Sequence, residues 1–569
     1  MQVTAAEKLD SIAQWLGPGL KYDSSPYRDA WRNIMLADDY VWSDQYSSSR
    51  PFSYRTKYEE DAHRGYADAA YRETRDLLRV AMDRVAELVK VDKPGVAVFN
   101  AESWERGGFF DAELRSTEAL EDPVDGHLLS CGNLKMERLY KEVKCWAPVI
   151  PPFGYKVYTI VQQPPSAAQP AGTESAVMPI EGRYYRLELD PRTGSVTHLV
   201  DKATGQDLVN RSSGYGLNEY LYITGSDPVV AGGEEGSGED NRILSADPTL
   251  SVPNLTVHLP QIVRPTEVRR FPWGVSVTLH LRSVNTPDIT STILLNDEQK
   301  EVIFDNELEK EATLKREGIY FAFPFGVDKP TVEYQGATAW INPETDMLPG
   351  ANCEWFATQG GVRITGAKQN VSWNSIDAPL ITLDHPNRGL WPTTLKIKDG
   401  TVFSYVMNNY WYTDTPAEQG GHFRFRYVLT SGSSLSQADT TKLAIGARSP
   451  LYVIPLEHKQ WTPTLPEQGQ GFVSTSPSGV LVTAMRPVAD GEKRIYLLRI
   501  QNSTAQATNG RIQFPNSELE AAYMGTVLGE HTDPVEWSAH QVNLPLAPFD
   551  VKTLLVQIAS APSAGSGQK

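Results

Sequence analysis

Residues 181–205 read EGRYYRLELDPRTGSVTHLVDKATG, and this stretch decides the fold. Tyr185, Leu187 and Leu189 alternate with Arg186, Glu188 and Asp190, the period-two pattern of a strand with one face in a core and one in water. Pro191-Arg192-Thr193-Gly194 turns the chain, and Asp201-Lys202-Ala203-Thr204-Gly205 turns it again, both using residues suited to turns. The alternation returns at Val275, Val277, Leu279 and Leu281, and at Phe423, Phe425 and Tyr427. Many short strands punctuated by Gly, Pro and Asn predict packed antiparallel sandwiches, with a last β unit over roughly 470–560.

Upstream of this region the period is helical. Thr4 and Glu7 have the spacing of a capping box, and Leu9, Ile12, Ala13 and Leu16 follow at helical intervals until Gly17-Pro18. A second helix opens at Ser25-Pro26 with Ala30, Trp31, Ile34 and Met35 on one stripe. A third, over roughly 56–91, carries Ala62, Tyr66, Ala69, Ala70, Leu77, Ala81, Val85 and Leu88. The expected class is mainly β with an N-terminal three-helix bundle. The expected domains are a bundle at 1–92, a small β-domain at 93–163, a linker at 164–178, a large sandwich at 179–450, a C-terminal sandwich at 451–560 and a disordered tail at 561–569.

Composition narrows the function. Lys+Arg 53 against Asp+Glu 70 leaves a net charge of −17 across 569 residues. That balance argues against nucleic acid or an anionic membrane surface as partner, where basic side chains supply the affinity. No apolar run approaches the roughly 20 residues of a membrane span, and the first residues lack an apolar signal core. Compartment is left unknown. Three cysteines exclude a disulfide-dense scaffold; a Cys131–Cys145 bridge is allowed, but unpaired buried thiols are the favoured reading.

The ten histidines form no HExxH or HxH pair and keep no zinc-ligand spacing with cysteine. Gly-rich phosphate loops and GxSxG elbows are absent too. The acidic loop 233–240 (GEEGSGED) lacks the ordered carboxylate spacing of a calcium loop and reads as solvated surface. Asn408-Asn409-Tyr410-Trp411-Tyr412 joins amides to aromatic faces, the chemistry that covers sugar C–H faces and reads hydroxyls. The same cluster also suits β-core with buried amides holding turns.

Several segments together resemble glycoside hydrolase family 38, the retaining α-mannosidases. Residues 98–106 (VFNAESWER) are similar to its "FNPLSWxR" strand-turn, and Pro152-Phe153-Gly154-Tyr155 to its "PxxGY". Residues 189–205 resemble "ELDxxTGxIxSLxDKxTG"; 318–325 (GIYFAFPF), 346–350 (DMLPG), 377–380 (DAPL) and Asn408 to Trp411 follow in the family's order. The resemblance implies a galactose-mutarotase-like super-sandwich after the bundle, mannosides as substrate, and zinc as the family's metal. It also implies a catalytic α/β domain ahead of the bundle, whose HSHxDxxW-type motif with nucleophile and zinc ligands is absent from this chain. The bundle of the family adds a zinc histidine after its second helix; the matching segment here is Asp39-Tyr40-Val41-Trp42-Ser43, with Tyr40 in the histidine's place. Phenol is a poor zinc ligand beside imidazole, so no metal ligand and no cofactor is assigned within this chain.

The expected function is therefore an α-mannosidase-like glycoside hydrolase represented by its non-catalytic portion, inactive alone, with Asp39, Tyr40 and Trp42 as sugar contacts and no catalytic residue. The missing domain is the expected partner, and Trp15, Trp31, Met35 and Trp42 are the apolar groups expected to face it. The alternative is a carbohydrate-binding or scaffolding protein without hydrolytic activity. An independent enzyme with a site inside the sandwiches ranks last, because no acid and base cluster.

Overall fold

A computed structural model describes residues 2–17, 22–39, 41–47, 49–163, 172–224, 255–315, 317–383, 386, 392–409, 414–457, 464–488 and 494–559. The fold is mainly β, with helices α1 (Gln2–Leu16), α2 (Ser25–Ala37) and α3 (Tyr54–Ala86) opening the chain and α4 (Gln437–Arg448) inserted late. The acidic loop 233–240 and the tail 561–569 lie outside the described residues.

Two compact units interleave along the sequence. The first comprises residues 1–35, 67–171 and 448–569; the second comprises 36–66 and 172–447. In the first unit, α1 is buried along nearly its whole length, polar positions included. Its apolar side packs with Tyr27, Ala30, Leu78, Ala81 and Val85 and with strands of the C-terminal sheets in one core. The buried charges of α1 are paired: Lys8 with Glu102 at 3.2 Å, and Asp10 with Arg84. Thr4 lies inside the first turns rather than ahead of them, and the Glu7 carboxylate accepts from the Trp31 side chain. Helix α1 thus begins ahead of the capping box read at Thr4 and Glu7.

Trp15 corrects one expectation. It is 3% exposed, between Tyr496 (centroids 5.8 Å) and Phe514 (5.9 Å). The C-terminal strands supply its cover. A second correction concerns the thiols. The strands Ser130–Met136 and Tyr140–Ile150 pair antiparallel with Cys131 directly opposite Cys145, and the two form a disulfide. Register brings the sulfurs together; Cys353 alone stays a buried thiol.

The second unit holds a large sandwich. One sheet has six strands, ordered 256–258, 219–224, 317–325, 400–408, 380–383 and 356–357; the other has eleven and is built around the long strands 274–283, 286–296, 301–310 and 421–432. Their inner faces share one core that includes Tyr220, Phe304, Phe321, Phe323, Trp373 and Tyr427. The opening motif behaves as read: Leu189 pairs with Val196 and Tyr185 with Asp201 across the hairpin. Asp201 is fully buried, capping its turn through Ala203 N–H (3.0 Å) and accepting from Lys300 and Ser431 (both 2.7 Å). Within the segment read as linker, Thr173–Ser175 forms a short strand on the larger sheet.

Candidate functional site

The site lies in the second unit, where the segment after α2 meets the start of α3 and the loop 409–419. That loop is built on a buried polar anchor. Lys310 and Glu317, both closed to solvent, form an ion pair. Lys310 also donates to the carbonyls of Glu311 and Gln419, each at 2.9 Å. Glu317 accepts from Tyr222 (2.5 Å) and Asn285 (3.2 Å). Every charged atom thereby has a partner, the condition for burying charge at tolerable cost.

Asn409 secures the other end of the loop. Its amide donates to the carbonyls of Thr313, Lys315 and Ala417, and its Oδ1 accepts Glu317 N–H at 2.8 Å. The chain then passes through 410–413, outside the described residues, and returns at Asp414 with φ 61. A left-handed backbone at a residue other than glycine carries strain that its surroundings must hold in place. Here the hold is visible: the Asp414 carbonyl accepts from Trp42 N–H at 2.9 Å and from Ser43 N–H at 3.1 Å.

The segment so fixed runs along α3. Ser43 donates to the buried Glu60 (3.3 Å), which also accepts from Lys57 at 2.9 Å, and Asp44 pairs with Arg55 at 3.0 Å. The Trp42 ring lies over His63 (centroids 5.3 Å, planes 31° apart), and Tyr66 meets the same imidazole edge-on at 6.1 Å. Trp42 and His63 are each half-buried, while Asp39 is exposed.

Of the residues expected here, Trp42 is thus brought to Asp414 and His63, and Asp39 is exposed on the same segment. Tyr40, Tyr410, Trp411 and Tyr412 lie outside the described residues. Asn409 is a scaffold residue. His63 was missed: as one histidine inside a helical pattern it shows no pairing in sequence, and only the packing of loop on helix gives it Trp42 as neighbour. Also unforeseen are Phe52, Tyr54 and Tyr58 at the start of α3, exposed to water, Tyr54 by 84%. Among the apolar groups expected to be uncovered, Met35 is 65% exposed, whereas Trp31 is half-buried.

Among the described residues no three ligating side chains converge here; the one such group is Asp122, Asp125 and His127, on a hairpin of the first unit. There Asp122 is buried and already neutralised by Lys156. What the site offers is an aromatic face, an indole N–H, an imidazole and a carboxylate, a set suited to holding a neutral polyhydroxylated ring.

No protein-family model matches the sequence, and no curated protein matches it. Solved structures do match in fold. A protein in the glycosyl hydrolase family 38 from Enterococcus faecalis superposes with TM-score 0.70 at 14% identity, over 98% of this chain and 68% of that one. An α-mannosidase from Enterococcus faecalis V583 gives 0.68 at 13% identity, over 98% and 66%. The chain therefore shares the fold of those structures along nearly its whole length, and spans about two thirds of theirs.

Proposed function

We propose that this chain, which shares its fold with a family 38 glycosyl hydrolase structure and with an α-mannosidase structure, is the helical and β-sandwich portion of an α-mannosidase-like glycoside hydrolase. In this reading it contributes sugar contacts rather than the bond-breaking groups. The observation that carries it is the tie between Asp414 and Trp42, which fixes an aromatic face beside a loop that begins with two asparagines. Retaining glycosidases need a carboxylate nucleophile and an acid/base about 5–5.5 Å apart; among the described residues the buried carboxylates here are already engaged, Glu60 by Ser43 and Lys57 and Asp44 by Arg55. In this reading Asp39, exposed on the same segment, accepts from a sugar hydroxyl. Zinc enters only if another domain supplies its ligands. The exposed Phe52, Tyr54 and Tyr58 give such a domain an apolar seat on the second unit.

Two experiments test this. The chain alone, assayed on a nitrophenyl α-mannoside with zinc present, is expected to show no turnover above a blank preparation; zinc-dependent turnover would sink the reading. Calorimetric titration with mannose, mannobiose and mannan is expected to give weak, saturable binding that Trp42→Ala removes. The second reading is a carbohydrate-binding or scaffolding protein without hydrolytic activity, favoured by the same aromatic site. Translating the DNA in frame ahead of Met1 separates the two. An open frame encoding an HSHxDxxW-type segment supports the hydrolase, and a stop codon with a ribosome-binding site supports the binding protein.

A further inference from the structure

The imidazole of His63 has a split environment. Its Nδ1 is closed to solvent and has no hydrogen-bond partner. Two rings pack on it, Trp42 tilted over its face and Tyr66 on its edge. A neutral imidazole carries one N–H and one lone pair. A buried N–H without an acceptor loses its hydration outright. The lone pair therefore belongs on Nδ1 and the proton on Nε2, the nitrogen that is not among the sealed atoms. The Trp42 indole N–H likewise is neither sealed nor bonded to any described residue. Two unpaired donors thus stand on two rings held together, on a segment whose backbone is pinned by Asp414.

We propose that His63 is a sugar-recognition residue, donating from Nε2–H to a pyranoside hydroxyl while the Trp42 indole covers the C–H face of the same ring. This rests on the sugar-binding reading above and deepens it, because it names a helix residue as the specificity element of a site otherwise made of loops. Asp39, two residues before Val41 on the same segment, is the acceptor available to a second hydroxyl. No covalent step is involved.

The test has two parts. The first needs no ligand: nitrogen-15 spectra of the free chain should show the neutral form of His63 as the Nε2–H tautomer, and an Nδ1–H tautomer would overturn the proposal. The second uses methyl α-mannoside as probe, followed by calorimetry and by ligand-observed NMR. His63→Leu keeps the apolar contact with Trp42 but removes the donor, and should weaken binding about five- to tenfold, the worth of one neutral hydrogen bond. His63→Gln, whose amide nitrogen reaches the position of Nε2, should recover most of that loss. His63→Asn, which mimics Nδ1 instead, should not. Wild-type binding left unchanged by His63→Leu overturns the role of His63 while the sugar site stands. If the wild-type chain fails to bind any mannoside, both fall together. Circular dichroism of each variant guards against unfolding, and the Gln/Asn contrast distinguishes a donor from a packing role.

Discussion

Lys310 and Glu317 show what single residues contribute to the site. Replacing Lys310 by Met leaves Glu317 buried with its cation gone and frees the Gln419 carbonyl that closes the loop. We expect a loss of about 3–5 kcal/mol, read as a lower urea midpoint, together with a changed Trp42 environment in fluorescence. Unaltered stability would mean the pair is not closed to water. Glu301 makes a different case. Burial pushes its carboxyl up to about 7, only partly offset by the Asn296 amide that donates to it at 2.7 Å. The native state thus keeps a proton that the unfolded chain has already released above the ordinary value of 4.5. Stability from this group is full below about 4.5 and is lost as pH rises through about 7. Glu301→Gln should flatten that part of the pH–stability curve, measured by urea midpoints from pH 5 to pH 8.

At the scale of elements, the hairpin formed by Ser130–Met136 and Tyr140–Ile150 carries the disulfide that composition left open. The two cysteines are 14 residues apart, and closing a loop of that size constrains the unfolded chain by about 3 kcal/mol. Reduction, or Cys131→Ala with Cys145→Ala, should lower stability by roughly this amount without disturbing Trp42, which belongs to the other unit. The residues that carry the family resemblance turn out to be hairpin and turn builders as well. Asn100 donates to the carbonyls of Trp104, Ile150 and Pro151 and accepts from Glu102 N–H and Arg106. Asp377 accepts the backbone and guanidinium N–H groups of Arg426. Motifs of this kind specify architecture. That is why a chain can keep them while its likeness to the solved structures extends to fold and no further.

For the whole molecule, the exposed Phe52, Tyr54 and Tyr58 set an expectation about association. An uncovered aromatic patch of this kind favours self-association. Light scattering across a concentration series should show mass rising with concentration, and Tyr54→Ser with Tyr58→Ser should suppress the rise. A monodisperse monomer at high concentration would show that the patch needs no cover.

What the sequence by itself determined is what has a local period. Alternation at Tyr185–Leu189, turn chemistry at Gly194 and Gly205, and the helical stripes of α1 to α3 are all encoded within a few residues of one another, so they are legible without coordinates. Only the tertiary structure decided which polar residues end up together. Trp42 meets Asp414 and His63, Cys131 meets Cys145, and Trp15 meets Tyr496, each across a chain separation that no periodicity records. The helix α1 illustrates the reason most plainly. Its apolar stripe predicts one buried face, yet its polar side is enclosed too, Lys8 by Glu102, Asp10 by Arg84 and Ser11 by the Met485 carbonyl. Local pattern sets which face seeks a core; the long-range packing sets how much of the helix that core encloses, and which side chains become a site.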